Sequence, residues 1–118
     1  MMLLIVDDNA SMRRLVRRVT SDLADGIQEC ADGADVLAAY EQHHFGGEDW
    51  VLMDIEMARM DGLTATRELR AAHPEARVIV VTRHNDEELR AAAFREGACG
   101  FVPKENLLEL RALLSAET

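Results

Sequence analysis

Apolar residues along this chain follow two rhythms that alternate five times. The short unbroken runs Leu3-Leu4-Ile5-Val6, Val51-Leu52-Met53 and Val78-Ile79-Val80-Val81 predict strands buried on both faces, since a strand with one wet face would alternate apolar and polar residues. Two weaker segments, 27–30 and 99–102, predict shorter strands. Between them apolar residues recur at three- and four-residue steps. Met12, Leu15, Val16, Val19 and Leu23 mark a first helix, and Val36, Leu37 and Tyr40 a second. Leu63, Thr66 and Leu69 mark a third, stopped before Pro74, and Leu107, Leu110 and Leu114 the last. A fourth is predicted from Asn85, at capping-box spacing from Glu88, to Gly97. Asn9 or Ser11 can cap the first helix and Asp32 the second, and residues 43–48 read as a loop.

Five strand–helix units predict an α/β fold with a parallel sheet covered by helices on both faces. Right-handed crossovers leave few arrangements of such units. A flavodoxin-like (βα)5 doubly wound sheet of strand order 2-1-3-4-5 sets the first and third strands side by side at the switch point, where ligands bind beyond the carboxyl ends. Asp7 and Asp8 follow the first strand, Asp54 the third, Thr82 closes the fourth, and Phe101-Val102-Pro103 leads to Lys104. Taken singly, each is ordinary: a capping acid, a β-branched strand residue, a surface ammonium. Together they place three carboxylates, a hydroxyl and an ammonium around one crevice.

That grouping has a chemistry. At an effective dielectric near 20, two carboxylates about 4 Å apart repel by roughly 4 kcal/mol, so three must hold a proton or a cation. A hard divalent ion with oxygen ligands, Mg²⁺ first, fits carboxylates, waters and phosphate oxygens. A carboxylate so placed can attack a phosphoryl donor, with Thr82 and Lys104 stabilising the equatorial oxygens. Lys104 is the sole lysine among 13 basic residues. A chain that otherwise uses arginine for positive charge keeps a compact ammonium here, where a guanidinium is no substitute.

Composition bounds the rest. The 118 residues suffice for one domain, 1–118, with its own core, and no output domain is expected in them. A formal charge of −9 argues against direct nucleic-acid binding, which needs a basic face. Arg13, Arg14, Arg17 and Arg18 share one helical face, either merely solvated or a docking patch for an acidic partner. No apolar run reaches the roughly 18 residues of a membrane span. Met1-Met2-Leu3 opens the first strand with no secretion signal, and Cys30 and Cys99 read as buried small hydrophobes; a cytoplasmic location is expected. The four histidines lack zinc-ligand pairing.

Ile5-Val6-Asp7-Asp8-Asn9, Val51-Leu52-Met53-Asp54-Ile55-Glu56-Met57, Met60-Asp61-Gly62, Val80-Val81-Thr82 and Gly97 through Lys104 resemble, in order and spacing, the receiver domain of bacterial two-component response regulators. The resemblance implies that Asp54 accepts a phosphoryl group from a histidine kinase or histidine phosphotransfer protein in a Mg-dependent reaction. It implies that Asp8, Asp54 and the backbone carbonyl of Glu56 ligate Mg²⁺, with Asp7 acting largely through water. It further implies that Thr82 and Phe101 switch the surface of the fourth helix, fifth strand and fifth helix toward an effector protein. That surface could also support a homodimer, and the arginine-rich first helix lies near where kinases dock. Such a protein is a phosphoacceptor switch, not a metabolic enzyme. Two alternatives stay open: a pseudo-receiver that only binds partners, and an aspartate-nucleophile phosphohydrolase built on Asp54 and Glu56.

The chain departs from the family pattern at four positions. Ala58 stands where proline is common, Phe101 where tyrosine is usual, and Glu105 where proline often follows the lysine. Arg83 follows the switch threonine where a small residue leaves the pocket open. With Glu56 and His84 it is expected at the pocket rim, where it could contact the phosphoryl group, pair with Glu56 or screen water. Arg83 and Glu56 are expected to slow hydrolysis and restrict small donors.

Overall fold

The computed structural model describes residues 1–115. Five strands, β1 (Met2–Val6), β2 (Gly26–Cys30), β3 (Trp50–Met53), β4 (Arg77–Thr82) and β5 (Gly100–Pro103), form one sheet in the order β2-β1-β3-β4-β5, all pairs parallel. Between and after them run α1 (Ala10–Thr20), α2 (Val36–Gln42), α3 (Gly62–Ala72), α4 (Glu87–Arg95) and α5 (Leu108–Ser115). Short 3₁₀ turns at Ser21–Leu23, Gly33–Asp35 and Lys104–Asn106 precede β2, α2 and α5. The predicted topology is the observed one. Leu107, predicted as the first apolar position of the last helix, sits in the join between the third 3₁₀ turn and α5.

Continuous apolar strands fill two cores because successive side chains point to opposite faces. Leu4, Val6, Val51, Met53 and Val78 pack with Val36, Tyr40 and Leu69 under α2 and α3. Leu3, Ile5, Leu52, Ile79 and Val81 pack with Val16, Leu110 and Leu114 under α1 and α5. A third cluster joins Ile55, Val80, Ala93, Ala98 and Phe101 beneath α4. Cys30 is buried, which pushes its thiol up to about 11 and leaves it unreactive. Cys99 is exposed, contrary to the expectation of burial, because it stands ahead of β5 rather than within it.

Helix starts follow capping chemistry. Asn9 accepts from the Met12 amide at 3.0 Å and Asp61 from the Thr64 amide at 2.9 Å. The cap of α4 is Asp86, which accepts from the Leu89 amide at 2.7 Å, and not Asn85; the aspartate sits one residue nearer the helix. That helix ends where predicted, at Gly97, whose φ of +107° suits a residue without a side chain.

Asp32 does more than cap. Its carboxylate accepts from the Ala34 amide at 2.9 Å and, across the β3–α3 loop, from the amides of Arg59 and Met60 at 2.9 and 3.0 Å. This clasp fixes the loop in which Ala58 replaces the common proline. The three bonds hold the Asp32 carboxyl below the usual carboxylate range. A depressed folded pKa stabilises above the unfolded value, near 4, and that contribution is lost as pH falls through the folded pKa. Asp32→Asn should therefore lower Tm at pH 7, the gap from wild type narrowing below about pH 4. Melting curves that run parallel from pH 7 to pH 2 would refute it.

Candidate functional site

The parallel register brings the strand ends to one edge: Val6 lies opposite Met53, and Met53 opposite Val80, so the residues that follow share one crevice. Carboxylate oxygens of Asp7, Asp8 and Asp54 all lie within 4.8 Å of one another. Lys104, entering from the end of β5, places its Nζ 2.9 Å from Asp7 Oδ2 and 3.1 Å from Asp54 Oδ1. The three side chains are nearly sealed, at 8%, 5% and 9% exposure for Lys104, Asp7 and Asp54. A crevice of about 400 Å³ opens above them, lined by Asp8, Asp54, Glu56, Thr82, Arg83, His84 and Lys104. Every residue singled out from the sequence for this site, Asp7 and Phe101 excepted, lines it; Asp7 lies just beneath.

The carboxylates differ in what is left free. Asp7 is engaged at both oxygens, since Oδ1 accepts from the Asn9 amide at 2.9 Å while Oδ2 faces Lys104. Its carbonyl is gripped in turn by Arg13 Nη1 at 2.6 Å. Asp8 is exposed and has no hydrogen bond or ion pair among the described residues. Burial, and then the charge of Asp7, push the Asp54 carboxyl up despite Lys104. One ammonium does not satisfy the nest, which is a requirement for further positive charge. With oxygen donors only, one of them free, a small hard dication fits the residues present.

Thr82 is almost wholly buried, and its Oγ1 accepts from the His84 amide at 3.2 Å, leaving the hydroxyl hydrogen to donate into the crevice. At the mouth, His84 Nε2 meets Glu56 Oε1. Glu56 is thus bound to His84 rather than to Arg83, a pairing that spacing alone does not distinguish. Phe101 is 3% exposed, already turned inward against Val80, Ala93 and Ala98, with the Arg90 guanidinium 5.7 Å from its ring centroid.

Two positioning residues escape sequence reasoning. Arg13 belongs, by its spacing, to the arginine face of α1, yet it and Arg17 both reach Glu29 on β2, at 2.8 and 2.9 Å. Among the described residues, only Arg14 and Arg18 of that face remain without an ion pair. Asp32 reads as a helix cap, and its hold on residues 59–60 has no local signal. Both depend on long-range contacts.

Comparison with known proteins agrees with this geometry. Residues 3–115 match the response regulator receiver domain family. The chain is 32% identical over 114 residues to the transcriptional regulatory protein DegU of Brevibacillus brevis, covering 97% of this chain and 47% of that protein. It is 32% identical over 103 residues to the chemotaxis protein CheY of Bacillus subtilis strain 168, covering 86% of this chain and 83% of that one. A chain in the crystal structure of the CheX-CheY-BeF3-Mg complex from Borrelia burgdorferi superposes with a TM-score of 0.84 at 26% identity, over 99% of this chain and 89% of that chain. The present chain thus spans about half the length of the DegU relative and most of CheY. No helix among the described residues is long and apolar enough to cross a membrane. A five-stranded sheet in this order, acids and a lysine gathered at its carboxyl edge, and a family match across nearly every residue converge on one conclusion: the chain belongs to the response regulator receiver domain family of two-component signal transduction.

Proposed function

We propose that Asp54 is the phosphoacceptor of this receiver, served by Thr82 and Lys104 and dependent on Mg²⁺ held by Asp8, Asp54 and the Glu56 carbonyl, with Asp7 acting through water. The carrying observation is the contact of one ammonium with both Asp7 and Asp54 beside an unpaired Asp8. A Asp54 carboxylate oxygen attacks the phosphorus of a phosphohistidine, the P–N bond breaks, and its electron pair returns to the imidazole. Held there, Mg²⁺ would supply positive charge beside the transferring oxygens. Lys104 exchanges its contact with Asp54 for a phosphoryl oxygen, and the Thr82 hydroxyl donates to another. Because Phe101 is already buried, the signal passes from Thr82 through residues 83–86 to the face formed by α4, β5 and α5.

This reading makes residues 1–118 a single receiver domain working in the cytoplasm. Its partners are a histidine kinase or phosphotransfer protein and a downstream effector protein, without direct nucleic-acid contact, and the α4, β5 and α5 face is available for a homodimer. The test is intact-mass measurement after incubation with Mg²⁺ and a phosphodonor, first acetyl phosphate and then a phosphohistidine protein. One phosphoryl group should be gained and none in Asp54→Asn. Labelling that survives the substitution overturns the assignment; repeated turnover of phosphoesters marks a hydrolase, and no labelling from either donor a pseudo-receiver. A raised folded pKa favours the folded state below the unfolded pKa and loses that advantage as pH rises. Asp54→Asn is therefore also expected to raise the metal-free Tm at pH 7, and an unchanged or lower Tm contradicts the repulsion argued here.

A further inference from the structure

Several arginines of this acidic chain are held by partners. Arg13 and Arg17 share Glu29, Arg59 pairs with Asp35, Arg67 with Glu96 and Arg111 with Asp22, and Arg70 bonds the carbonyls of Pro74 and Ala76. Arg83 is the arginine that lines the crevice above Asp54, and it has no hydrogen bond or ion pair among the described residues. Glu56, an acid on the same rim, is engaged by His84. Arg83 also borders the neighbouring groove, with Asn9, Ser11, Met12, Leu15, Lys104 and Glu105, so it stands between the two.

From this we infer that Arg83 is a second phosphoryl-gripping cation of this receiver, left un-neutralised by the Glu56–His84 pair. The inference rests on Asp54 being the phosphoacceptor. Lys104 is nearly buried and bridges two carboxylates before transfer, whereas Arg83 is exposed and free to close over an arriving anion. A guanidinium offers two parallel N–H donors to two phosphoryl oxygens, which the ammonium does not. In hydrolysis a water oxygen attacks phosphorus and the bond to the Asp54 oxygen breaks. Its electron pair returns to the carboxylate, inorganic phosphate leaves, and the water gives its proton to solvent. A guanidinium bound over the phosphoryl oxygens holds the acyl phosphate and covers one side from which that water arrives.

The charge makes two effects of opposite sign. Removing Arg83 weakens binding of an anion at Asp54 and strengthens binding of a dication in the nest below. For Arg83→Ala the expected results are beryllofluoride affinity, measured by calorimetry at saturating Mg²⁺, reduced about five- to tenfold, and Mg²⁺ affinity without beryllofluoride raised roughly two- to fivefold, the size of one screened charge. The phosphoryl lifetime should shorten several-fold. Arg83→Lys should keep the wild-type Mg²⁺ affinity and recover only part of the beryllofluoride affinity. Unchanged affinities, or both weakening together, overturn the inference, the second as a sign of general damage. If wild type is labelled at Asp54 and the Arg83→Ala lifetime is unchanged, this inference alone fails. If wild type neither binds beryllofluoride nor is labelled, the phosphoacceptor reading fails and takes this one with it.

Discussion

Lys104→Met is expected to destabilise the metal-free protein by about 3 kcal/mol, with Mg²⁺ restoring much of the loss. Methionine keeps the stem's bulk and removes only the charge, so packing contributes little. What remains is Asp7 and Asp54, nearly buried and facing each other beside Asp8 without the ammonium that bridges them at 2.9 and 3.1 Å. Removing one partner from a buried ion pair costs more than the pair contributes, because the survivors keep their desolvation penalty. Protonation of one carboxyl caps the cost, which holds the expected loss near the low end of the roughly 3–5 kcal/mol that breaking a buried pair costs. For a chain of this size the fall in Tm is on the order of 10 °C. A dication in the nest replaces the missing charge, so Mg²⁺ should raise the variant's Tm more than the wild type's. Equal melting temperatures without metal, or equal responses to Mg²⁺, would show that Lys104 does not hold the acids together. The same variant should lose the coupling of phosphorylation to α4, β5 and α5 even where Asp54 is still labelled.

Gly62→Ala should cost about as much through a different cause, and should also disturb the phosphoacceptor. A Cβ at position 62 would lie 1.9 Å from the Asp54 carbonyl oxygen and 2.9 Å from Met53 Cγ. The glycine is needed for space, not for an unusual φ, since α3 starts where it crosses the end of β3. Its amide donates to the Ile55 carbonyl at 2.8 Å, so the helix cannot back away without breaking that bond. Overpacking of this kind costs roughly 1–3 kcal/mol, and a collision with backbone belongs at the upper end. The backbone that must move carries Asp54, so phosphoryl labelling should fall with stability. Gly46→Ala is the control, because nothing lies within 4 Å of its added Cβ. Thermal melts and labelling of both variants check this; a Gly62→Ala protein with wild-type Tm and labelling would disprove it.

Much of this protein was legible in its sequence because its signals are local and periodic. Unbroken apolar runs gave doubly buried strands, three- and four-residue steps gave helices, and each run stopped on the residue that chemistry requires at a strand's carboxyl end. Short-range caps were read less surely: Asp86 and Asn85 are adjacent and both can cap, so only the backbone path at the start of α4 selects Asp86. Pairings between side chains of comparable reach were not legible at all. Glu56 could meet Arg83 or His84, and Arg13 could face a partner or Glu29.

The sequence by itself determined the five strand–helix units, the strand order that handed crossovers permit, and the identity of the acids, hydroxyl and ammonium that meet. Tertiary structure alone decided which of those groups are already satisfied. Asp7 is engaged by Asn9 and Lys104, and Glu56 is bound to His84, while Asp8 and Arg83 have no partner among the described residues. The reason is physical: periodicity is written in neighbouring residues, whereas the choice among competing charged partners depends on distances between segments far apart in the chain.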